Sequence, residues 1–386
     1  MHPYRHPTLI ATLLLAGMAN LPAGATELVR IVPPAQLQQQ AQQTRPTIEL
    51  LFVLDTTGSM GGMLEGAKSK IWGIVNGVLQ RQGNGGATIR VGLVAYRDRG
   101  DAYVTRVTAL SENLDYVYSQ LMSLRPEGGG DTPEDVRSAM ADALRAGGWS
   151  APGARTSQVI FLVGDAPPHD DYRKLPSTVA SAREALRRGI VVNAIQCGSD
   201  GDTSVAWHNV AQYGGGEYFA IAQDGGVQVI STPYDQPLAE LGEQMGGTYM
   251  AYGRSEERDK RQSAQVAMEA KVAAAAPAPA KADRALNKAL NEKAYDERDL
   301  VQGAMAGRVA LPSIAEAELP DALRKLAPAQ RQAALDQAVA ERKALREKIV
   351  ALSKQREQYL AEQRKKGTAQ VGFDAAVASA LAKQLK

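Results

Sequence analysis

From residue 47 onward, short apolar runs alternate with longer segments of helical period. Thr47–Asp55 contains the run Leu50-Leu51-Phe52-Val53-Leu54 and predicts a strand buried on both faces. Met60–Gln82 places Met63, Ile71, Ile74, Val75 and Val78 at helical spacing. Gly83–Gly86 breaks that helix, and Ala87–Tyr96 predicts a second strand. Tyr103–Leu110 alternates well enough for a third, at a sheet edge. Helices are expected at Glu112–Leu124 and Pro133–Ala146, with the glycine-rich turn Glu127–Pro133 between them. Gln158–Gly164 is another fully apolar strand, ending at Asp165; a helix at Pro176–Arg188 leads to a strand at Ile190–Gln196. Val205–Tyr213 and Glu217–Ile221 complete the alternation as helix and strand. The pattern predicts an α/β fold, a doubly wound, mostly parallel sheet with helices on both faces.

The flanks differ. Arg5, the apolar stretch Leu9–Gly17 and Ala23-Gly24-Ala25 give residues 1–25 the form of a signal peptide. Residues 26–46, rich in Gln and Pro, are expected as a tether. Residues 47–253 would form the α/β domain, with its core at 47–225, and 254–285 an Ala/Pro-rich linker. A largely helical C-terminal region, 286–386, would follow. Its long charged helix, Ala329–Lys366, carries a narrow stripe of Leu345, Ile349, Leu352 and Tyr359. That stripe suits a coiled-coil seam for self-association, or a helix folded back on the main domain.

Composition narrows the function. The 386 residues carry a formal net charge of +2. Removing Arg5 with the leader leaves +1, which gives no support for a nucleic-acid partner. The single cysteine, Cys197, cannot form an intrachain disulfide. The leader makes the expected location exported, periplasmic or secreted, and no later run is long enough to span a membrane.

The chemistry concentrates at predicted strand ends. Asp55, Thr57 and Ser59 alternate after the first strand and can converge beyond its carboxyl end, where open α/β sheets hold ligands. Their donors are all oxygen, which suits a hard divalent cation, Mg2+ (or Mn2+ or Ca2+). The same residue types also cap helix N-termini, so the spacing alone leaves both roles open. Two further segments stand in order behind them: Gly128-Gly129-Gly130-Asp131-Thr132-Pro133-Glu134, and Phe161-Leu162-Val163-Gly164-Asp165. Together the three resemble the von Willebrand factor type A domain and its metal-ion-dependent adhesion site. The family pattern is Asp-x-Ser-x-Ser, then a Thr from a second loop, then an Asp at the end of a central strand. The resemblance implies metal ligation by Asp55, Thr57, Ser59, Thr132 and Asp165, with Thr57 replacing the commoner Ser while keeping its hydroxyl. It further implies that the cation captures an acidic side chain of a protein partner.

Other readings fit less well. A haloacid-dehalogenase-type phosphatase needs a second Asp where Thr57 stands. Gly61–Ser69 misses the phosphate-loop spacing because Ala67 separates Gly66 from Lys68. Four histidines, two of them in the leader, leave little material for a catalytic base. His169-Asp170-Asp171 has ligand-type side chains, but a surface loop explains it. Arg99-Gly100-Asp101 spells an adhesion tripeptide by chance. The expectation is a non-enzymatic, exported, metal-dependent protein-binding module. The alternatives are a metal-dependent hydrolase using the same cation as Lewis acid, or a structural envelope protein assembling through its C-terminal helices.

Overall fold

The computed structural model describes residues 46–81, 87–227, 229–291, 293–366 and 372–385. The signal peptide, the tether except Pro46, and the Gly83–Gly86 break lie outside them. Six strands, β1 (Thr47–Asp55), β2 (Thr88–Tyr96), β3 (Thr105–Ser111), β4 (Thr156–Gly164), β5 (Ile190–Cys197) and β6 (Gly215–Ile221), form one sheet. Their order is β3-β2-β1-β4-β5-β6, and only the β2–β3 pair is antiparallel. The strand order reverses between β1 and β4, the switch point at which such sheets hold ligands. Asp55 and Asp165 leave the sheet on either side of that point.

Strand periodicity explains the two-sided core. Ile48, Leu50, Phe52 and Leu54 pack into one layer, and Leu51 and Val53 into the other. The first layer is covered by α1 (Gly61–Arg81) and α2 (Leu114–Ser123). The second is covered by α3 (Val136–Ala146), α4 (Thr178–Arg187) and α5 (Gly201–Tyr213). Trp72 and Trp207 are buried packing residues, and Cys197 is a buried free thiol.

The C-terminal region is helical as expected, but its helices begin before residue 286. Its helices are α6 (Asp235–Gly247), α7 (Ser255–Ala275), α8 (Ala278–Leu290), α9 (Leu300–Met305), α10 (Asp321–Arg324), α11 (Pro328–Lys366) and α12 (Phe373–Gln384). The segment 254–285 is therefore two packed helices in place of a linker. Pro277 does separate α7 from α8, but Val272, Ala276 and Ala280 are buried in the sheet's own core. Alanine serves here as a close-contact residue: a Cβ at Gly242 of α6 would stand 2.8 Å from that of Ala285 on α8. The α11 stripe is likewise used within the chain. Leu345 and Ile349 are buried against α6 and α8, with Leu352 packed beside them, and the Tyr359 ring meets Tyr234 edge-on at 6.2 Å. The expected seam for self-association is thus covered by the chain itself.

Buried ion pairs fix these helices in place. Arg342 of α11 is fully buried, pairs with Asp299 and donates to Thr248 Oγ1 at 2.7 Å. Arg356 bonds Asp235 and Asp283 at 2.6 and 2.7 Å. Arg284 of α8 pairs with Asp115 of α2 and with Glu269 of α7. The last helix inserts Phe373 beside Phe52, ring centroids 6.1 Å apart, and Phe52 stacks on Phe161 at 5.4 Å. The described residues form one compact unit, and none of their helices is long and apolar enough to cross a membrane.

Phe373→Ala should therefore destabilise the whole unit by about 3–5 kcal/mol, the usual cost of emptying a buried aromatic site. Chemical denaturation followed by tryptophan fluorescence checks this. An unchanged unfolding midpoint would mean that α12 contributes nothing to the sheet core.

Candidate metal centre

The centre starts from a buried carboxylate. β1 carries its apolar run to Asp55, which is fully buried at the end of the central strand. Asp55 Oδ1 accepts hydrogen bonds from the Thr57 N–H (2.9 Å) and hydroxyl (2.7 Å). Asp55 Oδ2 is buried and has no partner. Thr57 Oγ1 lies 3.3 Å from Ser59 Oγ. Thr57 precedes a single 3-10 turn, Gly58–Met60, yet makes no side-chain capping bond. Its hydroxyl is spent on the carboxylate, not on a helix end.

The other two segments close around this turn. Gly164 ends β4 so close to Asp55 that a Cβ there would collide with the Tyr96 hydroxyl and come within 3.3 Å of Asp55 Oδ2. Asp165 follows it, half-buried, and its Oδ2 accepts from Gln223 Nε2 at 2.5 Å. Gln223 Nε2 also reaches the Ser59 carbonyl at 3.4 Å. The glycine loop docks through Gly58 N–H to Gly128 O (3.2 Å) and Glu127 N–H to Thr56 O (3.2 Å). Gly128 has φ +82°, and a side chain there would strike the Asp101 carboxylate.

The helix after Thr132 begins later than expected. The helix predicted from Pro133 starts at Val136, and it is capped by Asp135 Oδ1, which accepts from the Ser138 N–H at 2.9 Å. The intervening Glu134 is held extended instead: its N–H donates to Pro167 O and its carbonyl accepts from His169 N–H, both at 3.0 Å. Thr132 is exposed on the docked loop and is not consumed as a cap. Asp55, Thr57, Ser59 and Asp165 are linked directly or through Gln223 by the bonds above; Thr132 is carried alongside them on the docked loop.

The field is strongly negative. Burial raises the Asp55 carboxyl to about 7; the two Thr57 hydrogen bonds pull against it and Asp165 adds to it. Glu134, also buried, is pushed up to about 9 by burial and then by Asp55, Asp98, Asp101 and Asp165. The buried Arg97 pulls the Asp55 carboxyl down only as the smallest of these effects; its Nε donates to Thr56 O and its Nη2 to Arg125 O, with Glu127 at 3.7 Å. An orphaned Asp55 oxygen, adjacent hydroxyls and unneutralised carboxylates fit an oxygen-liganded divalent cation. Glu134 and Asp98 escaped the sequence reading. The only available signal was an acid directly after Thr132-Pro133.

Other sequence features resolve structurally. Lys68 of the near phosphate loop is buried and bonds Leu124 O at 3.1 Å and Glu65 at 2.8 Å. Gly62 and Gly66 of that stretch make room for Asp224 and Val227. Two side chains of the adhesion tripeptide are engaged within the chain: Arg99 bonds Asp135 at 3.0 Å, and Asp101 accepts from Gly129 N–H at 3.2 Å.

A family model described as von Willebrand factor A domain matches residues 49–233, and this part of the chain belongs to that family. The chain is 35% identical over 127 residues to von Willebrand factor A domain-containing protein 7 of Rattus norvegicus, covering 33% of this chain and 13% of that protein. It is 28% identical over 127 residues to a putative ariadne-like RING finger protein of Acanthamoeba polyphaga mimivirus, covering 32% and 11%. The chain thus spans about an eighth or less of the length of these curated relatives. Among solved structures, BatB from Bacteroides thetaiotaomicron aligns with a TM-score of 0.35 and 17% identity over 45% of this chain and 90% of that one. Mussel byssus proximal thread matrix protein 1, with a zinc-occupied MIDAS motif, aligns at 0.34 and 15%, covering 47% and 43%.

The raised Asp55 pKa sets a pH dependence. With a folded value near 7 against an ordinary 3.8, this group favours the metal-free fold most below the lower value. Its contribution then falls by about 1.4 kcal/mol per pH unit up to the higher value and is flat beyond. A bound cation displaces the proton, so Mg2+ should raise the melting temperature more at pH 8 than at pH 5.5. A Mg2+-induced shift equal at both pH values would show that Asp55 does not lie at the ion.

Proposed function

We propose that residues 49–233 form a metal-dependent protein-binding module. Asp55, Thr57, Ser59, Thr132 and Asp165 would hold a divalent cation, Mg2+ (or Mn2+ or Ca2+), and the occupied site would capture an acidic side chain of a protein partner. The observation that carries this reading is the buried, unpartnered Oδ2 of Asp55 at the sheet's switch point. When bound, the cation supplies positive charge and solvent-facing coordination positions that a foreign carboxylate can enter.

The division of labour among the residues follows from their charge. Asp55 and Asp165 offer only two carboxylates, and the hydroxyls of Thr57, Ser59 and Thr132 add oxygens without cancelling charge. Ser59 and Thr132 are exposed, so the liganding face opens to solvent and to a partner. Thr57 holds Asp55 in position, Gln223 holds Asp165, and the glycines let the second loop approach the first. The leader read in residues 1–25 supports an exported site of action, periplasmic or secreted, with the partner at the cell envelope. We read the module as binding and not catalysing.

Calorimetric titration of the metal-stripped chain with Mg2+, Mn2+ and Ca2+ tests the site. Asp55→Ala should abolish binding of the ion that the wild type takes, with the fold retained by circular dichroism. Thr57→Ser should be nearly silent and Thr57→Val should weaken binding about tenfold, roughly the worth of one charge-assisted contact. Equal affinity in wild type and Asp55→Ala would remove the assignment.

A further inference from the structure

The carboxylates at this end of the sheet extend past Asp55. Asp98 after β2, Asp131 beside the triple glycine and His169 after β4 present ligand atoms that all lie within 4.8 Å of one another. Asp98 is only 5% exposed; its Oδ2 accepts from the Tyr172 hydroxyl at 3.0 Å, while its Oδ1 is buried without a partner.

The imidazole is held as a ligand would be. His169 Nδ1 stands 2.7 Å from Asp171 Oδ1, and the ring lies flat on Tyr172, centroids 4.0 Å apart and planes at 11°. With the Nδ1 proton given to Asp171, the lone pair sits on Nε2. That nitrogen is also buried and unpartnered, 3.5 Å from Asp98 Oδ2. A carboxylate on the far ring nitrogen is the device that orients metal-binding histidines. Nearby cations do not neutralise the cluster. Arg99 lies over the Tyr172 ring at 3.5 Å and bonds Asp135, and Arg137 bonds Asp170 and the Tyr172 carbonyl. Glu134, 3% exposed with Oε2 unpartnered, adds a further carboxyl close enough to feel Asp98.

We propose that Asp98, Asp131 and His169 form a second divalent-cation site, separate from the Asp55 site. One imidazole nitrogen with two carboxylates favours a borderline ion such as Zn2+ over Mg2+. Asp131 is exposed, so the site opens to solvent on one side. Its ligands interleave in sequence with the first set, since Asp131 adjoins Thr132 and His169 follows Asp165 by four residues.

The test is calorimetric titration of the chelator-treated full chain with Zn2+ while Mg2+ is held at saturation. Wild type, His169→Ala, Asp131→Asn and Asp55→Ala are compared. His169→Ala and Asp131→Asn should each weaken one Zn2+ equivalent about tenfold or more, the scale of losing a ligand or its support. Asp55→Ala should keep that equivalent. Asp131 is exposed, so its variant separates loss of a ligand from loss of the fold. Zn2+ isotherms of both variants matching the wild type would overturn the proposal. So would loss of the equivalent in Asp55→Ala, which would merge the two sites into one. Mg2+ titration of Asp55→Ala reports independently on the first site, so failure of either assignment is visible by itself.

Discussion

The structure turns on a carboxylate that its own strand forces into the core. β1 is apolar on both faces and lies at the centre of the sheet, so its last residue arrives buried whatever its charge. Asp55 meets that constraint halfway: Thr57 satisfies one oxygen and nothing satisfies the other. A buried unpaired oxygen is costly, and Asp165 adds to the cost of charging it. Local rules are broken here while they hold through the strands, the distribution expected where a site has a use beyond folding.

Periodicity made the sheet legible because each strand's alternation or apolar run is local. β1 and β4 were visible from their composition, and the antiparallel edge β3 from its alternation. Spacing placed Asp55, Thr57 and Ser59 together beyond β1 without deciding their role, and Asp165 stood out at a strand end. The start of α3 was not, because Thr-Pro is an ordinary opening for a helix. What overrides it is the bridge of Glu134 to residues 167–169, a pairing between loops that no repeat encodes. The same cross-loop pairing hides the meeting of His169 with Asp98.

The helical character of the C-terminal region was legible, but the linker at 254–285 was misread, for a different reason. Alanine contributes little to an apolar pattern, and arginine reads as surface. Here alanine lets α6 and α8 approach closely, and Arg284, Arg342 and Arg356 are buried with their acids. Such pairs add little net stability, since desolvation offsets attraction, but a misplaced helix would leave each charge alone in the core. They act more as register marks than as cement.

Tail and site meet in one loop. Gln223 supports Asp165, and two residues on, the Gly225 carbonyl accepts the N–H of Phe373 at 2.9 Å. The Phe373 ring lies against Phe52, three residues before Asp55 on the same strand. The loop is also pressed onto α1, where Gly62 and Gly66 leave no room for a side chain beside Asp224 and Val227. Moving Gln223 away from Asp165 would therefore strain contacts with α1 and with α12 at once. The position of the carboxylate at the third motif is set by packing that reaches from the first strand to the last helix.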